Sequence, residues 1–304
     1  MGRVSGISVA PSALKISKLF YTDDVLLFYG AKISKVGALL SSVDKFCSWS
    51  DMSISKDKSG IFVSRGVHSY FSRQVKDMWG FKQLPKDSKY LGVPLFLSSN
   101  KSKDFAFVKE KLETRISGWK RKCLSQMGRT TLIKSVAMLA PIYAMSAFKL
   151  PKGFCSSLDA MIRKFWWNPK KEGNKLFTPL AWSSICQPLA NGGLGFRSFE
   201  SFNEAMIAKL AWWVLSNRDS FCVKVLKAKY KAGDKWLQTP PVRFAFFSWK
   251  GLESVKDILS SGACQLVGSG ESILVWDDPW IPDLPDFKPQ PRLENVEIQC
   301  LAIA

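Results

Sequence analysis

Acidic residues and histidine are scarce. The 304 residues hold 25 acids against 44 Lys and Arg and a single histidine, His68. Residues 1–22 contain neither Asp nor Glu. One histidine and seven cysteines (47, 123, 155, 186, 222, 264 and 300), with no C-x-x-C pair, leave no ligand set for zinc. An odd, scattered set of cysteines is also unlike a disulfide framework, and it predicts buried thiols in a reducing compartment. No apolar run reaches the ~18 residues that suggest a membrane span. The stretch from Ala205 to Leu215 comes nearest, and Lys209 interrupts it. Gly2-Arg3-Val4-Ser5-Gly6 leads into no apolar signal region, so an intracellular protein, nuclear or cytoplasmic and not secreted, is expected. Repeats and low-complexity tracts are missing too.

What remains describes a globular chain, 46% hydrophobic and 23% charged, long enough for one large or two ordinary domains. Its net charge of +19 calls for a polyanionic partner, either nucleic acid or an acidic membrane surface. The basic residues are interleaved with aromatic and aliphatic ones, and no basic amphipathic helix stands out. Both features favour RNA or DNA over a membrane.

The most informative stretch is Ile16 to Tyr29, in which two aromatic-rich apolar runs flank Asp23-Asp24. Two such runs joined by a two-residue polar corner predict a β-hairpin with both carboxylates at its tip. Adjacent carboxylates on a rigid corner can hold a hard divalent cation; alternatively, Asp supplies only turn chemistry there. Downstream, apolar spacing predicts helices over Ile33 to Ser50 and around Phe71 to Trp79. Strands are expected at Ile61 to Val63 and at Tyr90 to Leu97. From Lys103 helices follow one another, with Ser125 and Ser198 as N-caps and Pro141 as a break. Asn168 to Thr178 is a candidate boundary, Ser248–Leu259 a short helix, and residues 264–276 a second hairpin.

Phe20-Tyr21-Thr22-Asp23-Asp24 resembles the aromatic-x-Asp-Asp signature of reverse transcriptases. The surrounding text resembles plant non-LTR (LINE-type) retrotransposon polymerases from Ile16 to about Pro282. The likeness is carried in order by Lys58-Ser59-Gly60, Tyr90 to Leu95, Ile116 to Lys120, Met145 to Pro151, Phe165-Trp166-Trp167, Gly192 to Arg197 and Val275 to Trp280. The implied fold is α+β: a partial palm over 16–100, then a helical thumb-like region over 101–168 and a helical downstream region over 179–282. Residues 1–15 and 283–304 are expected to be unstructured. The resemblance implies Mg²⁺ on Asp23 and Asp24, with Lys58 near the incoming triphosphate and Tyr90-Leu91-Gly92 gripping the primer; Ser55 stands where the family has Asn. Lys120, Arg121, Lys122, Arg129 and Lys134, clustered around Trp119, are candidates for tracking the phosphates of a template-primer. Against activity stands the missing acid. A palm needs another aspartate upstream of the hairpin, which residues 1–22 do not supply. The expected protein is therefore an N-terminally truncated, inactive remnant, or else a non-catalytic nucleic-acid-binding protein derived from it.

Overall fold

The computed structural model describes residues 6–11, 13–64, 66–120, 122–167, 178–233, 235–271 and 273–290. The class is α+β, and most of the described chain is helical. Among the described residues, the first hundred positions carry eight short strands as four two-stranded ladders. Ile7–Ser8 (β1) pairs antiparallel with Lys15–Ile16 (β2), so the expected unstructured lead contains a small ladder. Lys18–Tyr21 (β3) and Asp24–Leu27 (β4) form the anticipated hairpin. Helix α1 covers Ile33–Ser50, as its apolar spacing predicts, and ends at Asp51 in the left-handed conformation. Gly60–Ile61 (β5) crosses over through α2 (Ser69–Trp79) to pair in parallel with Lys82–Gln83 (β6). His68 caps α2, its Nδ1 accepting from the Tyr70 N–H at 3.2 Å.

The strand expected from Tyr90 to Leu97 is instead a miniature hairpin. Lys89–Tyr90 (β7) pairs with Val93–Pro94 (β8), and Leu91 and Gly92 both take positive φ (52° and 78°) at the turn. Positive φ at both central residues is the geometry that matches strand twist in a two-residue loop, and Gly92 supplies it freely.

The helical body begins with Lys101–Asp104 (α3) and Ala106–Lys120 (α4). Gln126–Leu132 (α5) starts where Ser125 Oγ accepts from the Gly128 N–H at 3.1 Å, then widens into a π-helical turn over Ile133–Ala137. Ile142–Ala147 (α6) and Lys152–Trp167 (α7) follow, then Trp182–Ile185 (α8). Phe199–Leu215 (α9) is capped by Ser198, and Phe221–Tyr230 (α10) by Ser220. The single helix expected over Ser248–Leu259 is two, Phe247–Glu253 (α11) and Lys256–Ser260 (α12).

α9 is the axis of this body, packing against α6, α7, α10, α11 and α12. One apolar cluster joins Phe105, Leu112, Ile133, Leu158, Ile162 and Phe165 to Ile185, Phe196 and Phe199, which lie beyond the loop proposed as a boundary. That loop itself falls outside the described residues, apart from Thr178. A second cluster gathers Ile207, Val214, Trp236, Trp249 and Leu252. Asn203, 1% exposed, clamps α6 to α9: its Oδ1 accepts from the Leu150 N–H at 2.7 Å, and its Nδ2 donates to the Met145 and Phe148 carbonyls, each at 2.9 Å.

The second hairpin does not form among the described residues. The Asp278 carboxylate accepts from the Leu274 N–H at 2.9 Å, and Trp280 Nε1 donates to the Val275 carbonyl at 2.9 Å. These side-chain bonds fold the segment into a turn and leave it no ladder. Nor are the cysteines uniformly buried. All six that are described are free thiols; Cys155 is buried, Cys47, Cys186 and Cys264 are half-buried, and Cys123 and Cys222 are exposed.

Candidate active site and nucleic-acid cleft

In the β3–β4 hairpin, Phe20 faces Val25 and Leu19 faces Leu26, and this pairing sets the corner. It puts Thr22 and Asp23 in the turn, one residue earlier than expected, and Asp24 at the first ladder position, opposite Tyr21. The two carboxylates are therefore not equivalent. Asp23 rides the turn while Asp24 belongs to a strand. The arrangement costs Thr22, a β-branched residue, a left-handed backbone with φ 49°.

Asp23 and Asp24 are both exposed, as is Lys58, which lies in the turn before β5 that the Ser59 N–H closes onto the Ser55 carbonyl at 3.0 Å. The Thr22 hydroxyl and Asp23's own backbone N–H donate to the Asp23 carboxylate and hold it below its ordinary range; the positive charge of Lys58 acts in the same sense. Desolvation raises the Tyr90 phenol, with the Asp24 carboxylate and then Tyr143 of α6 adding to the rise. Lys58 thus acts on Asp23, and Asp24 on Tyr90, although Tyr90 lies far along the sequence from the hairpin. Leu91 and Gly92 do not extend a strand beside Tyr90; they make the turn that presents it.

The resemblance implies Mg²⁺ at this corner. Two exposed carboxylates can offer hard oxygens to a cation, but a two-metal centre needs more of them. Among the described residues no group of three or more His, Cys, Asp and Glu side chains is placed to hold a metal ion. The described residues do not by themselves complete such a centre.

The basic cluster resolves into parts. Lys120 at the end of α4, Lys122 in the following loop, and Arg129 on α5 line a cleft of about 340 Å³ with Trp119, Cys123, Leu124, Ser125 and Phe165. The loop is held by the Lys122 N–H on the Trp119 carbonyl (3.0 Å) and by Ser125 at the N-terminus of α5. Arg129 Nε is buried and has no hydrogen-bond partner among the described residues. An unpartnered guanidinium nitrogen beside two lysines suits an oxyanion. Lys134 is not part of this lining. It sits in the π-helical turn, its ammonium over Gly195, where a Cβ would come within 3.5 Å. Arg121 lies outside the described residues.

Sequence reasoning missed the carboxyl of Asp159. Asp159 on α7 accepts from the Phe199 N–H at 3.2 Å, and burial pushes its carboxyl up to about 6. Burial foremost, with the Asp159 charge next, drives the Cys155 thiol up to about 12 and Cys186 to about 11. These groups brace α7 against the segment leading into α9, and thiols so raised are inert as nucleophiles.

No family model matches the chain. It is 34% identical over 198 residues to an Arabidopsis thaliana protein named "Putative ribonuclease H protein", an alignment covering 64% of this chain and 31% of that protein. It is 29% identical over 147 residues to an "Uncharacterized mitochondrial protein" of the same plant, covering 48% of this chain and 95% of that one. The chain thus spans less than a third of the length of the first relative, and its similarity is to plant proteins, one of which carries ribonuclease H in its name.

Proposed function

We propose that residues 16–100 are part of a reverse-transcriptase palm of the LINE type, carried here without turnover, and that the helical body after residue 101 serves to bind nucleic acid. The observation that carries this reading is the hairpin tip. Its two exposed carboxylates feel Lys58 (at Asp23) and act on Tyr90 (from Asp24), four of the positions the resemblance assigns to cation, triphosphate and primer. In the intact reaction cations bridge the attacking hydroxyl and the phosphates, and the protein contributes positioning and charge. With no third carboxylate placed beside them among the described residues, Asp23 and Asp24 would anchor only part of that arrangement, so extension by this chain alone is not expected.

The binding half of the proposal is supported by the net charge of +19 and by the cleft of Lys120, Lys122 and Arg129. The palm half is supported also by its unfinished core. Only Val36, Leu39 and Val75 are buried apolar residues in the described part of 1–100, whereas Phe20, Tyr21, Phe46, Trp49 and Phe62 are exposed. Faces of that kind call for further polypeptide against them.

Primer extension on an RNA template with Mg²⁺, using the chain and its Asp23→Ala variant, tests the first half. Extension that disappears in the variant would show that the carboxylate set is complete after all. The second half is tested by oligonucleotide binding, expected to weaken steeply as salt rises. Salt-independent or absent binding would remove it.

A further inference from the structure

Between the helical turn at Trp236–Gln238 and α11 runs the segment Thr239-Pro240-Pro241-Val242-Arg243-Phe244-Ala245-Phe246. Its backbone is fastened at three points by side chains. Lys256 Nζ donates to the Thr239 carbonyl (2.9 Å), the Glu253 carboxylate accepts from the Val242 N–H (2.8 Å), and the Tyr230 hydroxyl accepts from the Phe246 N–H (3.1 Å). Tyr230 is in turn stacked on the fully buried Trp249, with ring centroids 4.2 Å apart and planes 13° from parallel. The loop is therefore tied to the second core cluster, yet it holds its aromatic rings in water. Phe244 is 90% exposed and Phe246 62%. Each ring has a cation beside it, the Arg243 guanidinium 5.7 Å from the Phe244 centroid and the Lys229 ammonium 3.4 Å from that of Phe246.

Isolated exposed apolar residues need no explanation. Two rings on one anchored loop, each paired with a cation, are a different matter. Exposed aromatic faces stack bases of any sequence, and neighbouring cations meet the phosphates, which is how single strands are held without base readout. A duplex would hide the base faces these rings need. The surplus of positive charge supplies the complementarity to a polyanion.

We propose that Arg243, Phe244, Phe246 and Lys229 form a stacking site for unpaired bases of single-stranded nucleic acid, separate from the cleft at Lys120, Lys122 and Arg129. The site does not depend on the palm reading.

The test uses the full chain and a single-stranded oligonucleotide with one 2-aminopurine, whose fluorescence is quenched on stacking, in RNA and DNA forms. Binding by wild type should quench the probe. Phe244→Ala should weaken binding about tenfold and lose most of the quench, while Phe244→Trp restores it. The ring is nearly all in solvent, so the unfolding temperature should not move. An abasic site in place of the probe base should weaken wild type by a similar factor and Phe244→Ala little further. Lys120→Ala with Lys122→Ala should lower overall affinity and leave the quench in place, so a failure of the cleft is distinguishable from a failure of this loop. The proposal is overturned if neither Phe244→Ala nor Phe246→Ala changes the quench, or if Phe244→Ala loses as much affinity for the abasic strand as for the intact one. A Phe244-dependent association seen only with anionic phospholipid vesicles would overturn it as well.

Discussion

Replacing Asn203 by alanine should cost more stability than any surface change in this protein. The side chain is 1% exposed and makes three hydrogen bonds, one accepted from Leu150 N–H and two donated to the Met145 and Phe148 carbonyls. Truncation leaves one donor and two acceptors in a dry interior. At roughly 1–3 kcal/mol for each unsatisfied buried group, partly offset by relaxation, the loss should be about 3–5 kcal/mol. That is a large share of the ~5–15 kcal/mol that holds a domain together. Urea unfolding followed by circular dichroism measures it as a lower midpoint at unchanged slope. Asn203→Asp is the sharper variant. At neutral pH its carboxylate keeps the bond from Leu150 but faces two carbonyl oxygens without a proton to give. It should be less stable than Asn203→Ala at pH 7 and regain ground as acid protonates it. An alanine variant within about 1 kcal/mol of wild type would refute the clamp between α6 and α9.

Asp159 gives a prediction with the opposite pH sense to an ordinary carboxylate. Its folded value of about 6 lies above the ordinary aspartate value of 3.8, so the folded state binds the extra proton between them and this group costs stability as pH rises through that window. Asp159→Asn, which still offers an acceptor to Phe199 N–H, should gain on wild type from about pH 4 to 6 and level off by at most about 3 kcal/mol, read by denaturant titration across pH. In the cleft, Lys120→Ala with Lys122→Ala should lower the slope of log affinity against log salt by about 1.4 on a single strand, as measured by fluorescence anisotropy. Leu91→Asn should relieve the left-handed backbone and stabilise the β7–β8 turn by about 1 kcal/mol, seen as slower exchange of the Tyr90 and Val93 amides. Amides of α1, which buries only Val36 and Leu39, should open at least about 2 kcal/mol more easily than those of α9 in native-state hydrogen exchange.

The elements that sequence revealed best are those whose apolar period is their own sufficient cause. α1 runs over Ile33–Ser50 as its spacing demands, and Ser125 and Ser198 cap the helices they precede. The hairpin was legible but its corner was not. Asp-Asp looks like the turn by composition, whereas cross-strand packing of Phe20 with Val25 and of Leu19 with Leu26 moves the corner back to Thr22. Leu91 in a left-handed turn, and the π-helical turn after Leu132, run against local preference and are set by tertiary packing. Asn203 was in principle detectable, since it lies four residues after Phe199 and four before Ile207 on an apolar face where a polar residue needs a partner. The loop of Phe244 escaped because exposure of a phenylalanine is invisible in composition.

The segments that carry the family resemblance divide by what their side chains do. Met145 to Leu150 supplies the carbonyls and N–H that Asn203 binds. In Phe165-Trp166-Trp167 the first two rings are buried, and Trp166 Nε1 donates to Thr130 Oγ1 at 2.9 Å. Gly193 leaves no room for a side chain, since a Cβ there would lie 2.1 Å from the Gln187 carbonyl oxygen. Asp278 and Trp280 fold their own turn. These segments supply buried clamps to the body, although Arg197 and Asp277 within them are exposed. The hairpin is the reverse: Thr22, Asp23 and Asp24 are exposed, and Thr22 accepts a left-handed backbone there. The buried clamps and the exposed candidate chemistry at the hairpin tip are therefore carried by different residues. Neither buried cluster includes a residue of the hairpin, so the body from α4 to α12 can fold whether or not the carboxylates at the hairpin tip hold a cation.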